Sequence, residues 1–195
     1  MPYHHGNLRE VLLEKAAEAI EEDGGIGALS LRAVARRAGV SHGAPAHHFR
    51  DKAGLLTALA TQAMDRFRAT LSDAAREAGG SEREELRAIG MAYVCFAAEH
   101  PALFRIITRS EFIRRNAPEF SASYQSTIDM VKDAVIAAQR EGWGRDMDPM
   151  ALVITAWSSA HGLATLWLDG VLEDRVGPVD LEAVAAHAFE VLMAV

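Results

Sequence analysis

The chain of 195 residues contains one cysteine, Cys95. One sulfur cannot build an intrachain disulfide framework or a thiolate-based zinc site, and its scarcity suits a reducing cytoplasm, the location expected here. The N-terminal MPYHHGNLRE lacks the apolar core of a signal peptide. No Gly-rich phosphate loop, nucleophile elbow or His-Glu-x-x-His run is present, so an enzyme reading has little footing and no cofactor is expected. His4 and His5 have no third ligand, and no i,i+4 histidine or carboxylate cluster supports His161 and His187 as ligands, so no metal is expected. No segment reads as a strand and no repeat is visible.

One run has to be tested against a membrane. Met150 to Leu168 carries no formal charge over nineteen residues, which meets the length of a span. It also holds Thr155, Ser158, Ser159, His161, Gly162 and Thr165, too polar for a lone span. The expectation is a buried helix in a soluble bundle, with no membrane partner.

What is present is helix. Half the residues are hydrophobic, enough for a sizeable core. A first helix, capped by Asn7, carries Leu8, Val11, Leu12, Ala16, Ala19 and Ile20 at helical spacing and ends at Gly24-Gly25. Its acidic side (Glu14, Glu18, Glu21, Glu22) suits a brace and not a surface that meets phosphate. Asp51 opens a long helix to about Ala78, and Gly79-Gly80 breaks the chain. Ser81 with Glu84 forms a capping box before a helix to about Glu99. Pro101 starts a short helix, Pro118 one reaching Arg140 and closed by Gly142, and Pro149 the uncharged one. Gly170 and Pro178 separate that from a last helix, Asp180 to Val195. The expected architecture is all-α with about nine helices.

Between the first and the long helix lies Ser30–Lys52, SLRAVARRAGVSHGAPAHHFRDK. Ser30 is a good N-cap; Leu31, Val34, Ala35 and Ala38 make one apolar face; Gly39 fits a left-handed C-cap. Ser41 is placed to cap a second short helix. Helix, glycine turn and capped helix outline a helix-turn-helix. From residue 32 to 52 five cations (Arg32, Arg36, Arg37, Arg50, Lys52) face one anion, Asp51, for a net +4. Since the whole chain carries −7, the remainder carries −11. A basic segment on an acidic body is the footprint of a protein that meets nucleic acid at one face. The plain alternative is a solvated basic helix in an ordinary bundle. The acidic remainder counts against an architectural DNA-coating protein, which wants basic charge spread widely.

These residues resemble the tetracycline-repressor-like (TetR) transcription regulators. The likeness lies in Leu29-Ser30-Leu31-Arg32, Ala35, Ala38-Gly39-Val40-Ser41, Gly43, His48-Phe49, and Lys52 with Leu55-Leu56. Trp157 with His161-Gly162, Leu163 and Leu166 is similar to one subgroup's C-terminal domain, as is Tyr3-His4-His5-Gly6-Asn7-Leu8-Arg9 at the N-terminus. The chain departs from the family at Ala46, where a phosphate-binding tyrosine is common; His47 is the nearest substitute. The resemblance implies an operator-binding homodimer, a repressor released by a small apolar or amphipathic ligand. It places the DNA-binding domain at 1–52 and the ligand-binding and dimerisation domain at 53–195, joined by the helix at 51–78.

Candidate contacts follow. In a major groove, His42 can donate to a guanine edge, while Ala44 and Pro45 offer apolar contact to a thymine methyl. Gly43 allows close backbone approach. Ser41 and the cations Arg32 and Arg36 flank this set, and Ser30, His47 and Lys52 are placed for phosphates. His48 is expected to pack beside Phe49. Met91, Cys95, Phe96 and Phe104, with Tyr124, Ile128, Trp157 and His161, suit a buried pocket with Tyr124 and His161 as polar anchors, core packing being the alternative. Thr155, Ser158, Gly162 and Thr165 fall near one face, and Ala183, Ala186, His187 and Glu190 repeat that register. This is read as a dimer seam, the alternative being packing within one subunit.

Overall fold

The structure is a computed structural model that describes residues 8–22, 25–108 and 110–194. The expected cap at Asn7, the subgroup-like residues 3–7, Gly24 and Val195 lie outside the described residues. Among the described residues ten α-helices follow one another: α1 (Leu8–Glu22), α2 (Leu31–Arg37), α3 (Ala44–Phe49), α4 (Lys52–Ala78), α5 (Glu82–Glu99), α6 (Pro101–Thr108), α7 (Pro118–Arg140), α8 (Pro149–Leu168), α9 (Val171–Val176) and α10 (Leu181–Met193), with a 3₁₀ turn at Ser110–Phe112. Among the described residues there is no strand.

Local chemistry sets most boundaries. Ser30 accepts from the Ala33 amide at 3.2 Å, and Ser81 and Glu84 complete both halves of the capping box. Asp51 accepts from the Gly54 amide at 2.8 Å, Asp148 caps α8 and Asp180 caps α10. Gly39 (φ 67°) ends α2 in a paired turn: Gly39 donates to Arg36 and Val40 to Ala35. Gly142 (φ 107°) ends α7 the same way, with Trp143 donating to Ala138.

Two expectations need correction, the cap at Ser41 and the burial of α8. Ser41 does not cap the second helix of the motif: α3 begins at Ala44 with Gly43 as a cap that makes no side-chain bond. Pro45 explains the shift, because a residue without an amide hydrogen is tolerated in the first helical turn and not further in. The ten described helices agree with the expected all-α fold of about nine; the added one, α9, lies between Gly170 (φ 70°) and Gly177 (φ 85°). It buries no residue, so it leaves no apolar stripe to read. Finally, α8 is not a buried helix. Only Leu152, Val153, Ala156, Ala160 and Ala164 are buried, while Ile154 stays 53% exposed and Leu166 43%. It remains the one described helix long and apolar enough to cross a membrane by length and composition.

Packing groups the chain into two compact units, residues 1–64 with 102–124, and residues 65–101 with 125–195. The units therefore do not follow the functional boundary expected at 52/53: α4 and α7 each begin in the first unit and end in the second. In the first, α1, α2 and α3 pack on one another around Leu12, Ala16, Val34, Ala35 and Phe49. In the second, α5 packs on α8 and α10. A core cluster there joins Leu86, Val135, Ala138, Trp143, Leu152, Val153 and Met193. Trp143, 1% exposed, donates its indole N–H to the Leu192 carbonyl at 3.2 Å.

Gly90 shows how closely α5 and α10 approach: a Cβ there would lie 2.3 Å from the ring of buried Phe189. Gly90→Ala is expected to destabilise the protein by about 1–3 kcal/mol through overpacking. Urea unfolding measures this; an unchanged midpoint would show that the two helices part without strain.

Candidate nucleic-acid interface

The helix-turn-helix lies entirely in the first unit. Arg32, Arg36, Ser41, His42, Gly43, Ala46 and His47 are exposed, and Ala44 is half-buried. Pro45 is fully buried, so its assignment as a contact to a thymine methyl is withdrawn: the ring that starts α3 also anchors it in the core. His48 is exposed and not packed, its ring 5.7 Å from that of His47 and 6.1 Å from that of Phe49. Phe49 is buried, with the Arg9 guanidinium 5.5 Å from its ring centre.

Two of the expected cations have structural ties. Arg37 pairs with Glu22 of α1 at 2.6 Å, which holds α2 against the acidic brace helix. Lys52 donates to the Gly27 carbonyl at 2.8 Å, fastening the start of α4 to the loop before α2. An ammonium group has three donors, so this bond leaves Lys52 able to meet a phosphate as well. Ser30 spends one lone pair on the Ala33 amide and keeps its hydroxyl proton for another acceptor.

The junction between α3 and α4 was not legible beforehand. Arg50 has φ 69° and ψ −52°, and the Asp51 amide reaches back to the Phe49 carbonyl at 2.9 Å. This is a γ-turn with positive φ, a strained conformation for a residue with a side chain, costing on the order of 1–3 kcal/mol. Gly54 meets the same carbonyl from the other side: a Cβ there would sit 2.0 Å from the Phe49 oxygen. Asp51 caps α4 through one carboxylate oxygen and takes the Arg114 guanidinium on the other at 2.5 Å. The Gly54 amide first, and Arg114 second, hold its carboxyl below the usual carboxylate range.

In the second unit the structure brings together residues that the sequence lists apart. Trp157 donates its indole N–H to the Tyr93 hydroxyl oxygen at 3.4 Å, and that hydroxyl lies 2.8 Å from His161 Nδ1. With the Tyr93 hydroxyl donating to Nδ1, the imidazole is neutral and carries its hydrogen on Nε2. Burial pushes the His161 pKa down, in agreement. Phe67 stacks edge-on with both Tyr93 and Phe96, each at 5.0 Å. Tyr93 was missed among the anchors although its place on the α5 stripe with Ile89 and Phe96 predicts a buried ring whose hydroxyl needs a partner.

The other expected pocket residues are dispersed. Met91, Cys95 and Ile128 are half-buried in the second unit, while Phe104 (buried) and Tyr124 (half-buried) belong to the first. Trp157 is 41% exposed, more than a pocket wall requires, because it sits at the edge of the narrow side that α8 buries. Burial first, then Glu182 and Glu99, push the Cys95 thiol up, so it is a poor nucleophile. Of the expected seam, Thr155, Ser158, Thr165, Ala183, His187 and Glu190 are exposed, and Gly162 and Ala186 half-buried. Among the described residues no cluster of three metal-ligating side chains occurs.

A three-helix head with a buried core and exposed cations defines a helix-turn-helix DNA-binding protein. Comparison with known proteins agrees. The family description "Bacterial regulatory proteins, tetR family" matches residues 12–59. "Tetracyclin repressor-like, C-terminal domain" matches residues 86–192. The chain belongs to the tetracycline-repressor-like family of transcriptional regulators. It is 36% identical over 81 residues to the HTH-type transcriptional regulator BetI of Stenotrophomonas maltophilia (strain R551-3), a match that spans 42% of this chain and 41% of that protein. A protein of unknown function from Rhodococcus sp. RHA1 superposes with TM-score 0.87 at 35% identity, covering 100% of this chain and 97% of that one. The regulator FadR of Bacillus subtilis, solved with stearoyl-CoA, has the same fold, with TM-score 0.72 at 16% identity over 95% and 97% of the two chains.

The neutral His161 has a measurable consequence. Its folded pKa lies below the ordinary 6.5, so the unfolded chain binds the proton more readily. The stabilisation is fully present above the unfolded value and is lost as pH falls through the folded one. In an NMR titration the His161 ring is expected to titrate below 6.5; a value at or above it would refute the neutral, hydroxyl-bonded imidazole.

Proposed function

We propose that this regulator is a repressor that binds a palindromic operator as a homodimer and leaves it when a small apolar or amphipathic ligand binds the larger domain, residues 53–195. The observation that carries the reading is the set of exposed cations around the helix-turn-helix, Arg32 and Arg36 on α2 and Arg50 after α3, on an otherwise acidic chain. His42 reads a base edge, Ala44 offers its methyl, and Gly43 lets the backbone approach. Ser30, Arg32, Arg36, Ser41, His47 and Lys52 meet phosphates. With so few phosphate contacts per head, useful affinity requires two heads about 34–36 Å apart, and binding weakens steeply with salt. A DNA reader of this kind works in the cytoplasm.

The partner head comes from a second copy joined through α8 and α10. Around the small residues Thr155, Ser158, Gly162 and Thr165 stand Ile154 and Leu166; beside Ala183, Ala186, His187 and Glu190 stands Val191, 72% exposed. An exposed apolar face of this extent on two neighbouring helices fits an interface better than free solvent. Thr165→Arg is expected to convert a dimer into a monomer in light scattering while the thermal midpoint stays within a few degrees. A variant that remains dimeric would move the seam elsewhere.

Ligand control rests on family membership and on the aromatic wall of Phe67, Tyr93, Phe96, Trp157 and His161. Trp157 with His161-Gly162 also supports membership of the subgroup that shares this core. Stearoyl-CoA, the compound held by the B. subtilis protein, is a suitable first amphipathic probe. A ligand that prefers another spacing of the heads lowers operator affinity by its preference for that state.

Selection of DNA from a random duplex pool tests the central reading: a palindrome of two half-sites is expected. On it, Lys52→Ala weakens all sequences about equally, and His42→Ala relaxes preference at one position. Identical sequence profiles for the two variants would overturn these roles, and failure to enrich any sequence would overturn specific DNA binding itself.

A further inference from the structure

The α6–α7 loop lies far from the helix-turn-helix in sequence, yet it belongs to the same compact unit. Its Arg114 makes two separate attachments at the start of α4, to its cap and to its second turn. The guanidinium pairs with Asp51 at 2.5 Å, and the backbone amide donates to the Thr57 hydroxyl at 2.9 Å. Thr57 is buried and passes its own proton to the Ala53 carbonyl at 2.6 Å, so the amide meets an acceptor already oriented for it. Asp51 has both carboxylate oxygens committed, one to the Gly54 amide and one to Arg114.

These attachments close on the strained point of the head. Arg50 stands in its positive-φ turn between the last residue of α3 and the cap of α4, and the Phe49 carbonyl of that turn packs so close to Gly54 that a Cβ there would sit 2.0 Å from it. A residue held at such dihedrals persists only where its surroundings over-determine it. We propose that Arg114 and Asp51 are positioning residues for DNA reading: their pair bolts the α3–α4 turn and sets the angle at which α3 meets the groove. The inference rests on the DNA-reading function proposed above. It assigns the α6–α7 loop to the reading head, where nothing in the helix-turn-helix sequence places it.

The pair is half exposed, so its contribution is modest and salt-screened. Asp51→Asn isolates it, because asparagine still caps α4 through its side-chain oxygen while losing the charge that holds Arg114. On the duplex recovered by selection, Arg114→Ala and Asp51→Asn are each expected to weaken binding about threefold to fivefold, and the double variant no more than either alone. The slope of affinity against salt stays unchanged, because a positioning residue neutralises no phosphate. Arg115→Ala, an equal loss of charge in the same loop, leaves affinity unchanged. Additive effects of the two substitutions, or a salt slope that falls by about one for Arg114→Ala, would overturn the bolt in favour of direct phosphate contact while leaving DNA reading intact.

Hydrogen exchange reads the same device without DNA. In Arg114→Ala the amides of residues 50–56 are expected to exchange faster, with those of Leu86–Phe96 unchanged. Equal protection of residues 50–56 in both proteins would overturn the inference, whatever the DNA measurements give.

Discussion

The reading helix α3 has six residues, too few to hold its own shape in water, so the head depends on how α3 is fastened at each end. At its start, a buried proline ring and a glycine cap replace the hydroxyl cap such a helix normally has. At its end, the chain turns through a strained residue and is gripped at once by the cap of a helix of 27 residues. The rigidity of α3 is borrowed from α4, and α4 in turn is tied to the α1–α2 loop by Lys52 and to the α6–α7 loop by Arg114. Side chains that look like phosphate contacts in the sequence therefore also act as ties.

The second unit follows a different logic. Its core is aliphatic and aromatic, closed by Trp143 beneath the end of α7, and a polar chain of side chains runs from Trp157 through Tyr93 to His161. That chain links α5 to α8 at the edge of the face α8 leaves open. A neutral imidazole is the form that fits there, since the hydroxyl it accepts from is oriented by an indole that can only donate. The open face of α8 and α10 combines small residues with Ile154, Leu166 and Val191, chemistry that suits close approach by another helical surface.

Single residues show how far the sequence could be read. Ser81 with Glu84, Pro101, Pro118, Pro149, Gly39 and Gly142 act on backbone groups within a turn of themselves, so their effect is visible from a few neighbours, and the helices they bound fall where expected. Ser41 misled because two cap signals competed: a hydroxyl at 41 and a proline at 45. The proline decides, since its ring fixes φ and tolerates only the first turn. Tyr93 and Trp143 lie on or beside readable apolar stripes, but the partners of their polar atoms sit 68 and 49 residues away.

The sequence by itself determined an all-helical regulator with a basic reading head, because helix caps, apolar spacing and the sign of charge are local properties. Only the tertiary structure decided that Pro45 is core, that Arg114 pairs with Asp51 and that α8 is open along most of its surface. Each of these depends on which surfaces meet in space, and meetings between residues tens of positions apart leave no trace in local spacing.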